Sequence, residues 1–131
     1  MMKSSESRGD LLASTIVFAA AWWGRRLKAH FEKSGYAVTS EQIKAFEQAI
    51  INCLIYDAKK GYKGVWLISD HLCVRLAVAA NHAGIPEDYF PDHVHMRVSF
   101  QDGQVGVIDG YGAEYKTRYD FAVEGVYNED E

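Results

Sequence analysis

Along the first third of the chain, apolar residues recur every three or four positions: Leu12, Ile16, Ala19, Trp23, Leu27 and Phe31. That spacing sets them on one face of a helix over residues 10–33, with Asp10 placed to cap its start and Gly35 to end it. A second stripe, Ile43, Phe46, Ile50, Cys53 and Leu54, follows Thr39-Ser40-Glu41-Gln42. This tetrad has the form of a capping box, in which the Thr and Gln side chains each accept from the other residue's backbone N–H. Lys59 and Lys60 suit the negative end of the helix dipole, and Gly61 stops the helix. Two helices joined by so short a connection are expected to pack antiparallel. Gly64-Val65-Trp66-Leu67-Ile68 is a short apolar run, a buried strand or an extended approach. Ser69 or Asp70 is then placed to cap a third helix over residues 70–83, which Gly84-Ile85-Pro86 closes, because Pro disfavours helix at the residue before it.

After Pro91 the period changes to two. Val94, Met96, Val98 and Phe100 alternate with His93, His95, Arg97 and Ser99, and Asp102-Gly103 is a hairpin signal. With those two as the loop, Phe100 faces Val105 and Val98 faces Val107. Asp109 then lies on the face of Met96, opposite to His95. Tyr119, Phe121 and Val123 suggest a further strand. The expected fold class is α+β: two N-terminal antiparallel helices and a third helix packed on a small antiparallel sheet. Residues 1–131 read as a single domain, with a frayed start (1–9) and an acidic tail (124–131).

Composition narrows the function classes. With 48% hydrophobic residues in 131 and a net charge of -4, the chain lacks the signature of a disordered protein. Its 2 Pro, 11 Gly and 2 Cys exclude a collagen-like chain and a disulfide-stapled mini-protein. Fourteen basic against 18 acidic residues argue against nucleic-acid binding, which needs a concentrated Lys/Arg stripe. The densest basic stretch, Arg25, Arg26 and Lys28, reads as a solvated helix face. A helix-turn-helix match at Ala80, Gly84 and Ile85 is cut short by Pro91 and would set Glu87, Asp88 and Asp92 against phosphate. The apolar run from Leu11 to Trp23 falls short of the roughly 20 residues that span a bilayer. Glu6 and Asp10 occupy the place where a secretion signal is basic. No membrane and a cytoplasmic location are therefore expected, with Cys53 and Cys73 as free thiols.

Three features could carry function. His93 and His95, two residues apart on a strand, could turn both imidazoles to one metal ion, with Asp92, Asp88 or His82 completing the set. The competing reading is a polar strand face. Trp22, Trp23, Trp66 and eight Tyr exceed what a core of this size easily holds. Trp22, beside the main helical stripe, and Tyr111 and Tyr115, beside Gly110 and Gly112, are candidates for a binding surface. Glu87, Asp88 and Asp92 gather at the helix-to-sheet turn and point to a protein partner with a basic surface. Nothing in the sequence calls for a cofactor.

Residues 69–109 carry the third feature. Gly84-Ile85-Pro86-Glu87-Asp88-Tyr89-Phe90 forms a turn after a helix, His95-Met96-Arg97-Val98-Ser99-Phe100 a strand opened by His, and Val107-Ile108-Asp109 a strand closed by Asp. In this order the segment resembles the core of the transglutaminase-like (papain-related) superfamily, over about a third of the chain. The resemblance implies a nucleophile at the start of the helix, a His base and an Asp that orients it. The nucleophile position falls on Ser69 rather than on a Cys, and Cys73 lies one helical turn further in. A helix N-terminus activates a thiol by lowering its pKa, whereas a Ser needs a well-placed base. Two expectations follow. One is a small acidic protein-interaction module of inhibitor, immunity or adaptor type, built on a catalytically degenerate form of that superfamily's fold. The other is a small hydrolase or acyl-transferase using Ser69 or Cys73, His95 and Asp109. The expected register, which separates His95 from Asp109, favours the first.

Overall fold

The computed structural model describes residues 7–121 and 125–126. The elements run in the order α1 (Ser7–Ser34), α2 (Ser40–Lys59), β1 (Gly64–Ile68), α3 (Val74–Ala83), a 3-10 turn (Glu87–Tyr89), β2 (Val94–Ser99), β3 (Gln104–Asp109), β4 (Lys116–Asp120) and β5 (Gly125–Val126). The strands form one antiparallel sheet in the order β1-β2-β3-β4-β5. The α+β architecture is as expected. The helix of residues 10–33 starts earlier, at Ser7. Val123 and most of the acidic tail lie outside the described residues; Gly125 and Val126 pair with β4.

Local rules built the helical layer. Ile16, Ala19, Trp23, Leu27 and Phe31 of α1 are buried, and so are Phe46, Ile50 and Leu54 of α2. The capping box is present: Gln42 donates its backbone N–H to Thr39 Oγ1 at 3.1 Å, and Thr39 N–H donates to Gln42 Oε1 at 2.9 Å. The Gln42 amide also donates to the Gly84 carbonyl at 3.1 Å, tying the start of α2 to the end of α3. Gly84 takes a left-handed conformation, φ 72°, which closes α3 without the penalty of a Cβ. α2 packs against both α1 and α3.

The sheet turns one face to this layer. Val65, Leu67, Val94, Met96, Val98, Val105 and Val107 alternate inward and are all buried. The residues between them face the other way. Cross-strand neighbours there are Trp66, Arg97 and Gly106, and beside them Ile68, His95 and Ile108. No described helix packs on this open face. The 110–115 loop partly covers it, with Tyr115 laid over Gly106: a Cβ there would lie 2.0 Å from the Tyr115 ring.

Three expectations need correction. Trp22 belongs to the core at 6% exposed, edge-on to Trp23, so it offers no surface to a partner. Arg26 is not a solvated charge but is half-buried against β3. The β2–β3 loop has four residues rather than two, since Ser99 pairs with Gln104, Val98 with Val105 and Val94 with Asp109. Ser99 causes this: its Oγ accepts from Asp102 N–H at 3.1 Å and its carbonyl from Gly103 N–H at 2.9 Å. Phe100 leaves the ladder and donates its N–H to Lys63 O. The shift is by two residues, so every side chain keeps its expected face.

Candidate functional site

The site lies where β1 runs out beside the start of β2. Ile68 pairs with His95, and the antiparallel contact continues beyond the ladder: Ser69 N–H donates to Val94 O at 2.9 Å, and Val94 N–H donates to Ser69 Oγ at 3.0 Å. Ser69 is thus a buried extension of the sheet. The chain then turns through His71, at φ 46°, and Cys73 N–H returns to Ile68 O. The third helix therefore begins at Val74 with Cys73 as its N-cap residue, and not at residue 70. Ser69 and Asp70 are drawn away from a capping role by their bonds to the sheet.

Asp70 is the hub. Its Oδ1 accepts the backbone N–H of His93. Its Oδ2 lies 3.0 Å from His95 Nε2 and 3.2 Å from His93 Nδ1. Two residues apart on adjoining backbone, the imidazoles converge on one carboxylate. His93 is itself left-handed, φ 61°, a conformation His tolerates better than most residues, and its carbonyl accepts from Gly110 N–H at 2.7 Å. Its ring meets the edge of Tyr111 at 5.1 Å between centroids. The hydrogen bond from His95 holds the Asp70 carboxyl below the usual carboxylate range; burial opposes it, and the backbone N–H of His93 adds to it. Where His95 Nε2–H donates to the carboxylate, His95 Nδ1 is the remaining acceptor of the neutral ring.

A nucleophilic mechanism asks for more than this. Ser69 Oγ is buried and engaged with Val94, and Cys73 makes no side-chain capping bond. Among the described residues, no hydrogen bond joins Ser69 or Cys73 to an imidazole. Asp109 points to the helical side, where Arg26 clasps it through Nε at 2.9 Å and Nη2 at 3.1 Å. His95 and Asp109 therefore stand on opposite faces of the sheet, as the parity of β2 and β3 dictates. The carboxylate that orients His95 is Asp70.

The metal reading fares differently from its expected form. The carboxylate that joins His93 and His95 is Asp70, not Asp92 or Asp88, and His82 is an exposed residue of α3. Among the described residues, no group of three or more His, Cys, Asp or Glu is placed to hold a metal ion. Cys53 and Cys73 are free thiols, each partly buried, and burial with the nearby Asp57 pushes the Cys53 thiol up.

The candidate binding residues other than the buried Trp22 surround the same region. Glu87, Asp88 and Asp92 are exposed on and after the 3-10 turn that leads into β2. Tyr111 is 88% exposed, and Tyr115 and Trp66 approach edge to face at 6.4 Å on the open sheet face. Asp70 was the residue that sequence reasoning missed in this role. The signal was available in the pairing of β1 with β2: continuing the Ile68–His95 register outward sets Asp70 across from His93.

No helix among the described residues is long and apolar enough to cross a membrane. No family model matches the chain, and neither the curated proteins nor the solved structures give a match.

Proposed function

We propose that this protein is a non-catalytic protein-interaction module, of inhibitor, immunity or adaptor type, on a catalytically degenerate transglutaminase-like frame. One observation carries the reading: among the described residues, neither candidate nucleophile is hydrogen-bonded to an imidazole. Ser69 Oγ is engaged with Val94, Cys73 makes no bond to a histidine, and Asp109 holds Arg26, so His95 is oriented by Asp70 with no nucleophile set against it. What the same region does expose is recognition chemistry. Tyr111, Trp66 and Tyr115 offer rigid aromatic surface, and Glu87, Asp88 and Asp92 offer negative charge. Aromatic anchors with an acidic rim suit a partner with a basic surface, since complementary charge steers encounter and rejects wrong partners.

The test joins binding to chemistry. Full-length protein, immobilised, is offered a lysate of its native host, beside a Glu87→Lys/Asp88→Lys/Asp92→Lys variant and Tyr111→Ala. The expected result is a partner retained by wild type and lost by both variants. A broad ester or amide probe is applied in parallel. Labelling of wild type that disappears in Ser69→Ala or Cys73→Ala would overturn the proposal in favour of the hydrolase or acyl-transferase reading.

A further inference from the structure

Arg25 and Arg26 of α1, Asp109 of β3 and Arg118 of β4 meet around a pocket of about 210 Å³, with Trp22 also on its wall. In a chain of net charge -4, three guanidiniums gather here around one described carboxylate. Two features of the fold bring them together. The first lies in α1, where Phe18 and Arg25 are seven residues apart and share a helical face. Phe18 stacks on Tyr119 of β4 at 5.1 Å between centroids, and the Arg25 guanidinium lies 6.0 Å from the Phe18 centroid. The aromatic pair thus leads Arg25 towards β4. The second is a bulge. Val105 pairs with Tyr119 and Gly106 with Thr117, which leaves Arg118 as the extra residue of β4. A bulge re-aims a side chain, and this one delivers Arg118 to the helical side, beside Arg26 and Asp109.

We propose that this pocket binds a phosphoryl group, either inorganic phosphate or the phosphate of a small monoester. Charge favours it: the lining side chains carry three positive charges and one negative, and a phosphate monoester brings about -1.5 to -2 at neutral pH. Arg25 is also attracted to Glu47 of α2, and Arg25 and Arg118 have further contacts of their own. Each guanidinium has five N–H donors and serves several acceptors at once, so those contacts are compatible with a bound anion. Arg26 itself gives only Nε and Nη2 to Asp109. The Nε of Arg118 is buried and makes no hydrogen bond, a donor that a ligand oxygen would satisfy. Geometry favours phosphate over carboxylate. A guanidinium fork takes two oxygens at a time, and forks arriving from two elements suit a tetrahedral oxyanion better than the flat oxygen pair of a carboxylate. Size sets a limit: the pocket is smaller than the roughly 300–1,000 Å³ that drug-sized ligands occupy, so it takes the charged end of a ligand. Glu87, Asp88 and Asp92 do not line it, so the surface proposed above for a basic partner is a separate one.

Isothermal titration of the full chain with inorganic phosphate, methyl phosphate and acetate, at constant ionic strength, tests this. Phosphate or its monoester is expected to bind with a dissociation constant of about 1 mM or tighter, and acetate at least about 10-fold more weakly. Methyl phosphate bound at least about 10-fold more tightly than phosphate would name an esterified ligand as the occupant, and any smaller preference would name free phosphate as sufficient. Arg25→Ala and Arg118→Ala are each expected to weaken binding at least about 10-fold, through loss of a charge-assisted hydrogen bond. Lys28→Ala, which removes an exposed cation of α1 outside the pocket, is expected to leave the affinity within about 3-fold. Nitrogen-15 spectra of wild type need no variant and should show phosphate-dependent shifts centred on residues 25–26, 109 and 118. No binding of either phosphate at about 10 mM, equal binding of acetate, equal losses in Lys28→Ala and Arg118→Ala, or shifts centred elsewhere would each overturn the proposal.

Discussion

Asp109 closes β3 on the helical side of the sheet, where both its oxygens accept from Arg26. Asp70 follows β1 and gathers two histidines and a backbone N–H at the start of β2. The same side-chain type does two different jobs at neighbouring strand ends. Period-two geometry decides which: a residue on the helical face can meet only what the helices bring, and one on the open face meets loops, histidines and solvent. The resemblance to a His-and-Asp hydrolase core assigns Asp109 to His95 by order along the chain. Parity forbids that pairing and gives each carboxylate a different partner.

The contrast between the two faces is sharpest in β1. Leu67 is fully buried and its neighbour Trp66 is exposed. Leu67→Ala is expected to cost about 2–5 kcal/mol, through lost transfer energy and a cavity. Trp66→Ala is expected to stay within about 1 kcal/mol. Urea unfolding of both variants checks this, and equal losses would mean that the open face is covered.

Next in size is the Arg26–Asp109 clasp. It is bidentate and half-buried, so Asp109→Asn is expected to destabilise by about 1–2 kcal/mol, more than an exposed pair and less than a fully buried one. A double-mutant cycle with Arg26→Ala isolates the coupling. Coupling indistinguishable from zero would remove Asp109 from the structural role assigned to it.

Asp70 should show itself through pH. Its carboxyl is held low in the folded chain by His95 and His93. A depressed carboxylate contributes stability that is complete above its unfolded value of about 4 and is lost as pH falls through the folded value. The stability difference between wild type and Asp70→Asn should therefore shrink as pH drops below about 4. Acid titration of unfolding midpoints measures it, and a difference that grows with acidity would contradict the hub geometry.

The smallest effect is expected at Gly106. A Cβ there collides with the end of the Tyr115 side chain, which can swing away, so Gly106→Ala should change stability by less than about 1 kcal/mol. It should nonetheless separate Tyr115 from Trp66, visible as altered ring proton shifts. Unchanged shifts would mean that Tyr115 does not rest on the sheet.

Legibility in the sequence followed contact distance. The helical stripes, the Thr39–Gln42 box and the Gly84 stop involve residues within a few positions of one another, and they are where the pattern put them, except that Leu12, Ile43 and Cys53 are only partly buried. Strand faces were legible too, because a two-residue error in the hairpin leaves parity untouched. The long-range pairs were not. Arg26 meets Asp109 across 83 residues, and the surroundings of Arg26 in sequence, with Arg25 and Lys28 exposed beside it, give no hint of a carboxylate. Ser69 and Asp70 carry the local signature of a helix cap, and the β1–β2 pairing overrode it. Trp22 looked peripheral to the α1 stripe, yet packing against Trp23 buried it.

The central claim is that Asp70, and not Asp109, is the carboxylate bonded to the paired histidines. Nitrogen-15 spectra of the imidazole rings in Asp70→Asn and Asp109→Asn test it most directly. The account predicts that Asp70→Asn shifts His95 Nε2 and His93 Nδ1, while Asp109→Asn leaves both unmoved. A shift of His95 on changing Asp109, with none on changing Asp70, would contradict it.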